Sequence, residues 1–168
     1  MAAPSLERSE TNGAGATVTD AQINGVVLAS EDANSNTANL AVNYPVPATG
    51  YSFEKWWRLK VLSVAPTSIS AFGVYYSATA PTDYAGGSTL TMKFGVNSAY
   101  ATPVDTASSV ATVLCSSVTT GPGTSFTAPA NTVSAYSAYI TQQMTLASAS
   151  GGPVNGPSTW ITAAYSWN

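Results

Sequence analysis

The chain has no histidine and a single cysteine, and only 13 of its 168 residues are charged. After Asp105 the remaining 63 residues carry no charged side chain. Each absence excludes a class of chemistry. Without histidine there is no Ser-His-Asp arrangement and no Cys-His pair. With one cysteine as well, zinc and iron sites of the usual kind are excluded. Most enzymes draw a general acid or base from His, Glu, Asp or Lys, and the C-terminal third has none of them. The expectation is that the protein is not an enzyme and carries no cofactor. A chain so poor in charge also lacks a common protection against self-association, which suits a protein packed against other proteins.

Cys115 cannot form a disulfide within the chain. It sits in Val113-Leu114-Cys115, where it reads as a small apolar core residue. No run of about 18 apolar residues is present, so no membrane-spanning helix is expected. The N-terminal segment lacks a basic region followed by an apolar run and does not read as a signal peptide. The net charge of -3 gives no reason to expect nucleic acid or an anionic membrane as partner. There is no Walker loop and no GxGxxG sequence.

What is present favours strands. Ala, Ser and Thr supply 71 residues, and 13 Gly and 10 Pro punctuate the chain. Thr, Val and aromatic residues suit strands, and the Gly/Pro spacing suits turns. Residues 1–22 read as an extended N-terminal arm, ordered only if something holds it. Residues 23–168 read as one domain.

Short strands are expected over Gly25–Ser30 and Thr37–Val42. The clearest strand is Phe53–Leu62, with Phe53, Trp57, Leu59 and Val61 on one face. Glu54, Trp56, Arg58, Lys60 and Leu62 fall on the other. Further strands are expected at Ile69–Ser77, Thr89–Val96, Val110–Cys115, within Ser134–Ala147 and at Thr159–Trp167. The pattern predicts an all-β fold, an antiparallel β-sandwich or jelly roll of about eight strands.

Some functional readings of single residues are weak. Asp20, Glu31, Asp32, Asp83 and Asp105 are loop acids, and Asp32 is followed by Asn34 and Asn36. This loosely resembles a calcium loop but lacks the glycine and terminal glutamate of an EF-hand, so solvated turns are the better reading. Glu54 with Asp83 or Asp105 could form a glycosidase pair, but Glu54 fits better as a partner of Arg58 or Lys60. Trp56-Trp57 and nine tyrosines could stack on sugars, which keeps a host-surface glycan as a minor alternative partner. Core and interface roles are more common for such rings. Alternation sends Trp57 inward and Trp56 outward among cations, the place of an interface anchor.

Three stretches, taken in order, resemble small virion structural proteins of tailed bacteriophages. They are Ser52-Phe-Glu-Lys-Trp-Trp-Arg-Leu-Lys-Val61 followed by Ile69-Ser-Ala-Phe-Gly-Val-Tyr75; Met92-Lys-Phe-Gly-Val96 leading into Ala99-Tyr-Ala-Thr-Pro-Val104; and Tyr139-Ile-Thr-Gln-Gln-Met144 with Trp160-Ile-Thr-Ala-Ala-Tyr-Ser-Trp167. The resemblance spans roughly residues 50–168. It implies a β-sandwich on the virion, and within that class a capsid decoration (cement) protein is the leading expectation. Its partners would be the major capsid protein and further copies of itself. A neck, tail or head-fibre protein and a carbohydrate-binding adhesin are the alternatives. Leu6 and Arg8 of the arm, with Glu54, Trp56, Arg58 and Lys60, are the expected interface residues.

Overall fold

A computed structural model describes residues 3–22, 26–65, 68–76, 89–114, 124–125, 127–148 and 161–167. Over these residues the chain is all-β, with one four-residue helix. The strands are β1 (Ser5–Asn12), β2 (Thr17–Thr19), β3 (Gly50–Tyr51), β4 (Lys55–Ser63), β5 (Ile69–Tyr76), β6 (Thr89–Asn97), β7 (Val113–Leu114), β8 (Thr124–Ser125), β9 (Tyr139–Ser148) and β10 (Ile161–Trp167). The helix α1 is Leu40–Asn43.

The main sheet is antiparallel, in the order β2-β1-β4-β9-β6-β7, with β3 also paired to β9. A second antiparallel sheet has the order β10-β5-β8. The register fixes the faces of the main sheet. Trp57 stands opposite Glu10 and Ile140, and Phe94 stands opposite Gln142. Side chains alternate, so Trp57, Leu59 and Val61 share one face with Ile140, Met144, Leu146, Phe94 and Val96. These residues form the hydrophobic core with Val26, Leu28, Val46 and Ala65. Ile69, the first residue of β5, is buried in the same core. The inward faces expected for β4 and for Phe94 and Val96 of β6 are the observed ones.

Several local expectations are corrected. The N-terminal segment is not a free arm. Residues 5–19 form a β1–β2 hairpin, and β1 runs antiparallel to β4 from Ser5 to Thr11. Gly13 turns the hairpin with φ 71°, a left-handed conformation glycine adopts without strain. Ser9, Glu10 and Thr11 are fully buried. The segment carries no apolar stripe, so periodicity could not find it. Its polar side chains hold it instead.

Thr37–Val42 is not a strand. It leads into α1, whose single turn is closed by Asn43 N donating to Asn39 O and Tyr44 N donating to Leu40 O, both at 2.9 Å. Only Leu40 of that helix is buried. Among residues 26–30 there is no continuous strand, although Val26, Leu28 and Ala29 are buried. Of the strand expected at Val110–Cys115, only Val113–Leu114 pairs, with β6. Cys115 and Asp83 lie outside the described residues.

Between β3 and β4 the strand leaves the ladder for three residues, and each of their backbone N–H groups is satisfied elsewhere. Ser52 N donates to Met144 O, Phe53 N to Ala29 O and Glu54 N to Val104 O, at 2.9, 2.9 and 3.0 Å. This break brings the 98–112 segment against the sheet's second face.

Candidate docking face

The second face of the main sheet carries Trp56, Arg58 and Lys60 from β4. Glu7, Ser9 and Thr11 stand opposite them on β1, and Tyr139, Thr141 and Gln143 share the face on β9. This is the face the sequence marks as outward. The structure covers much of it with the chain's own residues 98–112.

Gly95 shows how closely that segment lies. A Cβ built there would sit 1.8 Å from Val110 O, a backbone atom. Gln143 is the main fastener. Its Nε2 donates to Ser52 O, Val104 O and Thr106 O at 3.1, 3.3 and 2.7 Å, and its Oε1 accepts from Ser108 N at 2.9 Å. A side-chain amide has two donors and one acceptor oxygen, so Gln143 is fully used as a bracket between sheet and loop.

Trp56 is therefore not an exposed anchor. It is 1% exposed, packed edge-on against Tyr100 (5.4 Å, 68°) and Tyr139 (5.8 Å, 73°). Its Nε1 donates to Glu54 Oε2 at 3.0 Å, and Glu54 is itself buried. Tyr100 also donates its hydroxyl to Gly13 O at 2.7 Å, tying loop to hairpin. Burial, then the nearby carboxylate of Asp32, pushes the Tyr100 phenol well above its ordinary range. The expectation for Trp56 and Glu54 is thus corrected: a loop the alternation rule cannot see seals the second face above them. Trp57 is buried too, so neither tryptophan offers a ring face to a sugar.

Arg58 and Lys60 remain half-buried beyond the sealed region. The Arg58 guanidinium lies 3.7 Å above the Tyr136 ring and 4.7 Å from that of Tyr139, a cation–π arrangement. Lys60 pairs with Glu7 at 3.3 Å and Asp20 at 2.5 Å. Asp20 also accepts from Ser9 Oγ at 2.7 Å and from the Tyr136 hydroxyl at 3.3 Å. Leu6 packs half-buried against the core, and Arg8 is half-buried on the same face of β1. The six expected residues do not form one patch. Leu6 and Arg8 face the core side, Glu54 and Trp56 are sealed, and Arg58 and Lys60 are engaged with their own neighbours.

The hydrogen bond from Lys60, then those from Ser9 and Tyr136, hold the Asp20 carboxyl below the usual carboxylate range, against an opposing burial effect. A depressed folded-state pKa contributes stability that is present above the ordinary value and lost as pH falls through the lowered one. Hairpin amide protection should therefore decline as pH drops below about 4. Asp20→Asn should flatten that dependence, and hydrogen exchange on residues 17–22 reads it. The partly solvated setting keeps the effect small.

Large apolar side chains are exposed at several places, among them Val18, Val42, Tyr44 and Val104. Leu62, Val64 and Val133 are 45%, 47% and 57% exposed. They come from two adjoining segments. Ser134 N donates to Val61 O at 2.8 Å, and the Asn131 side chain brackets Ala65 through its N and O at 2.8 and 2.9 Å. Leu62 belongs to the β4 alternation, but Val64 and Val133 are outside any strand, and nothing in the sequence pattern marks them as exposed together.

Two of the acids weighed for calcium, Asp20 and Asp32, have other partners. Asp32 accepts from Asn12 Nδ2 at 3.0 Å and Gly13 N at 2.8 Å, and Asn34 Oδ1 accepts from Asn36 N at 2.8 Å. Among the described residues no three His, Cys, Asp or Glu side chains gather as a metal site would require. No helix of the described residues is long and apolar enough to cross a membrane. No protein-family model matches the chain, and neither a curated protein nor a solved structure matches it.

Proposed function

We propose that this chain is a phage virion structural protein, a capsid decoration protein that binds the assembled head and bridges neighbouring major capsid proteins. The two sheets, meeting the shared core at Ile69, are read as the layers of a β-sandwich of jelly-roll type. The observation that carries the docking reading is the exposure of Leu62, Val64 and Val133 on two hydrogen-bonded segments, on a chain whose last 63 residues have no charge. Adjoining exposed apolar side chains are a usual mark of a protein interface. The charges near the patch, Arg58 and Lys60, are already engaged within the chain and act in register more than in affinity. The resemblance of residues 50–168 to phage virion proteins supports the same assignment.

A protein that binds only the assembled shell stabilises it by mass action. No catalysis is needed, in keeping with the lack of histidine and of charge in the C-terminal third. Half-burying three apolar side chains is worth about 1 kcal/mol each. The triple variant Leu62→Ser, Val64→Ser, Val133→Ser should therefore weaken attachment to heads on the order of a hundredfold. Its own melting temperature should change little, because all three side chains are already solvated. Retention on heads equal to that of the native chain would remove the patch from the interface.

A further inference from the structure

A second cluster, separate from the docking patch, lies where β1 ends beside the start of β4. Its centre is Lys55, with a fully buried side chain. A buried lysine is rare unless paired. Lys55 Nζ lies 3.6 Å from Glu10 Oε1, and Glu10 is also fully buried. Lys55 Nζ further donates to Ala33 O.

The third member is Asn12. Thr11 stands opposite Trp56, and Asn12 and Lys55 are the next residues of the two strands, on the side of Glu10. Asn12 Nδ2 lies 3.4 Å from the same Glu10 Oε1 and donates to Asp32 Oδ1 at 3.0 Å. One carboxylate oxygen thus borders both an amine and a side-chain amide nitrogen. We propose that Lys55 and Asn12 become joined by an intramolecular isopeptide bond, with Glu10 as proton carrier and ammonia as the leaving group.

The chemistry needs a neutral amine, a polarised carboxamide and a dry site. Burial lowers the Lys55 pKa, against the opposing charges of Glu10, Asp32 and Glu31, and the neutral form is the nucleophile. Two buried acceptors in the cluster, Glu10 Oε2 and Asn12 Oδ1, have no protein donor. In the proposed step a proton carried by Glu10 supplies a donor to Asn12 Oδ1, polarising the carbon to be attacked. Full burial of Glu10 and Lys55 disfavours the reverse hydrolysis.

The atoms balance without an oxidant or cofactor. The Lys55 ammonium gives one proton to Glu10. Its lone pair then attacks Asn12 Cγ to give a tetrahedral intermediate. A second proton passes from Nζ through Glu10 to Nδ2. The Cγ–Nδ2 bond breaks and ammonia leaves. One C–N bond has formed, one has broken, and Glu10 retains one proton. Asp32 is the less suitable acyl partner, since its two oxygens accept from Asn12 Nδ2 and Gly13 N.

Intact-mass spectrometry of the denatured full chain tests this. The native protein should be lighter than its sequence by one ammonia. After cleavage at glutamate, the peptide containing Asn12 should remain covalently attached to the one containing Lys55. Glu10→Gln and Lys55→Arg should each show the full sequence mass, and Asn12→Asp should lose water in place of ammonia. Full sequence mass in the native chain would overturn the proposal. So would a Lys55–Asp32 link. Loss of ammonia that persists in Lys55→Arg would also overturn it, because it would mark a succinimide at Asn12-Gly13 instead.

Discussion

Gly95→Ala should lower the stability of this protein by about 3 kcal/mol or more. For a chain of this size that corresponds to a fall in melting temperature of about 6–12 °C. The added Cβ would lie 1.8 Å from Val110 O and 2.8 Å from Val110 C. Those are backbone atoms, so no side chain can swing away to make room. Either β6 shifts in its ladder with β9, or the segment around Val110 lifts from the sheet. Lifting exposes Ala111, fully buried in the native fold, and loosens the cover over Trp56. Thermal denaturation gives the magnitude, and a red shift in tryptophan emission would show which element moved. A melting temperature within a degree or so of the native value would mean that the loop is not seated on Gly95.

Gln143→Leu is the second large effect. The change keeps the approximate side-chain volume and removes every hydrogen bond of the bracket. Ser52 O loses a donor in a fully buried setting, and Val104 O, Thr106 O and Ser108 N lose their tie to the sheet. A buried polar group left unsatisfied costs about 1–3 kcal/mol. The partly solvated loop groups recover some of that from water, so a total near 3 kcal/mol is expected. Urea denaturation should show a lower midpoint. Faster exchange should appear at the amides of Ser108, held by Gln143, and of Glu54, which donates to Val104 O. The effect should be specific to position 143. Its neighbour Gln142 faces the core and accepts from Trp57 Nε1 at 2.5 Å, so its loss should disturb Trp57 and leave loop exchange unchanged.

These two residues show where the sequence was legible and where it was not. Trp57, Leu59 and Val61 alternate with charged neighbours, and alternation is what places β4 and its faces. The same rule gives Phe94 and Val96 their inward positions. It fails at Trp56, because alternation says which face a residue takes but not whether that face is wet. The cover comes from residues 98–112, a loop with no periodicity. Its signals, Gly95 within one strand and Gln143 within another, have meaning only once the two segments are placed together.

The β1–β2 hairpin was hidden for a different reason. Ser-Leu-Glu-Arg-Ser-Glu-Thr-Asn has the composition of a solvated arm. It is held by Glu7 to Lys60, Ser9 to Asp20 and Glu10 to Lys55. These contacts join residues 11 to 53 positions apart and leave no local trace. The same contacts redirect the functional reading. Residues expected to hold a neighbouring protein hold the chain's own hairpin, and the proposed docking role moves to Leu62, Val64 and Val133.

As proposed, this chain coats an assembled phage head. Its copy number in purified virions, measured by quantitative mass spectrometry against the major capsid protein, tests that most directly. A head coat predicts copies in fixed, near-stoichiometric proportion to the major capsid protein, falling sharply in the triple-serine patch variant. A count matching only a single small ring, unchanged in that variant, would contradict the claim and place the chain at the neck, tail or a head fibre.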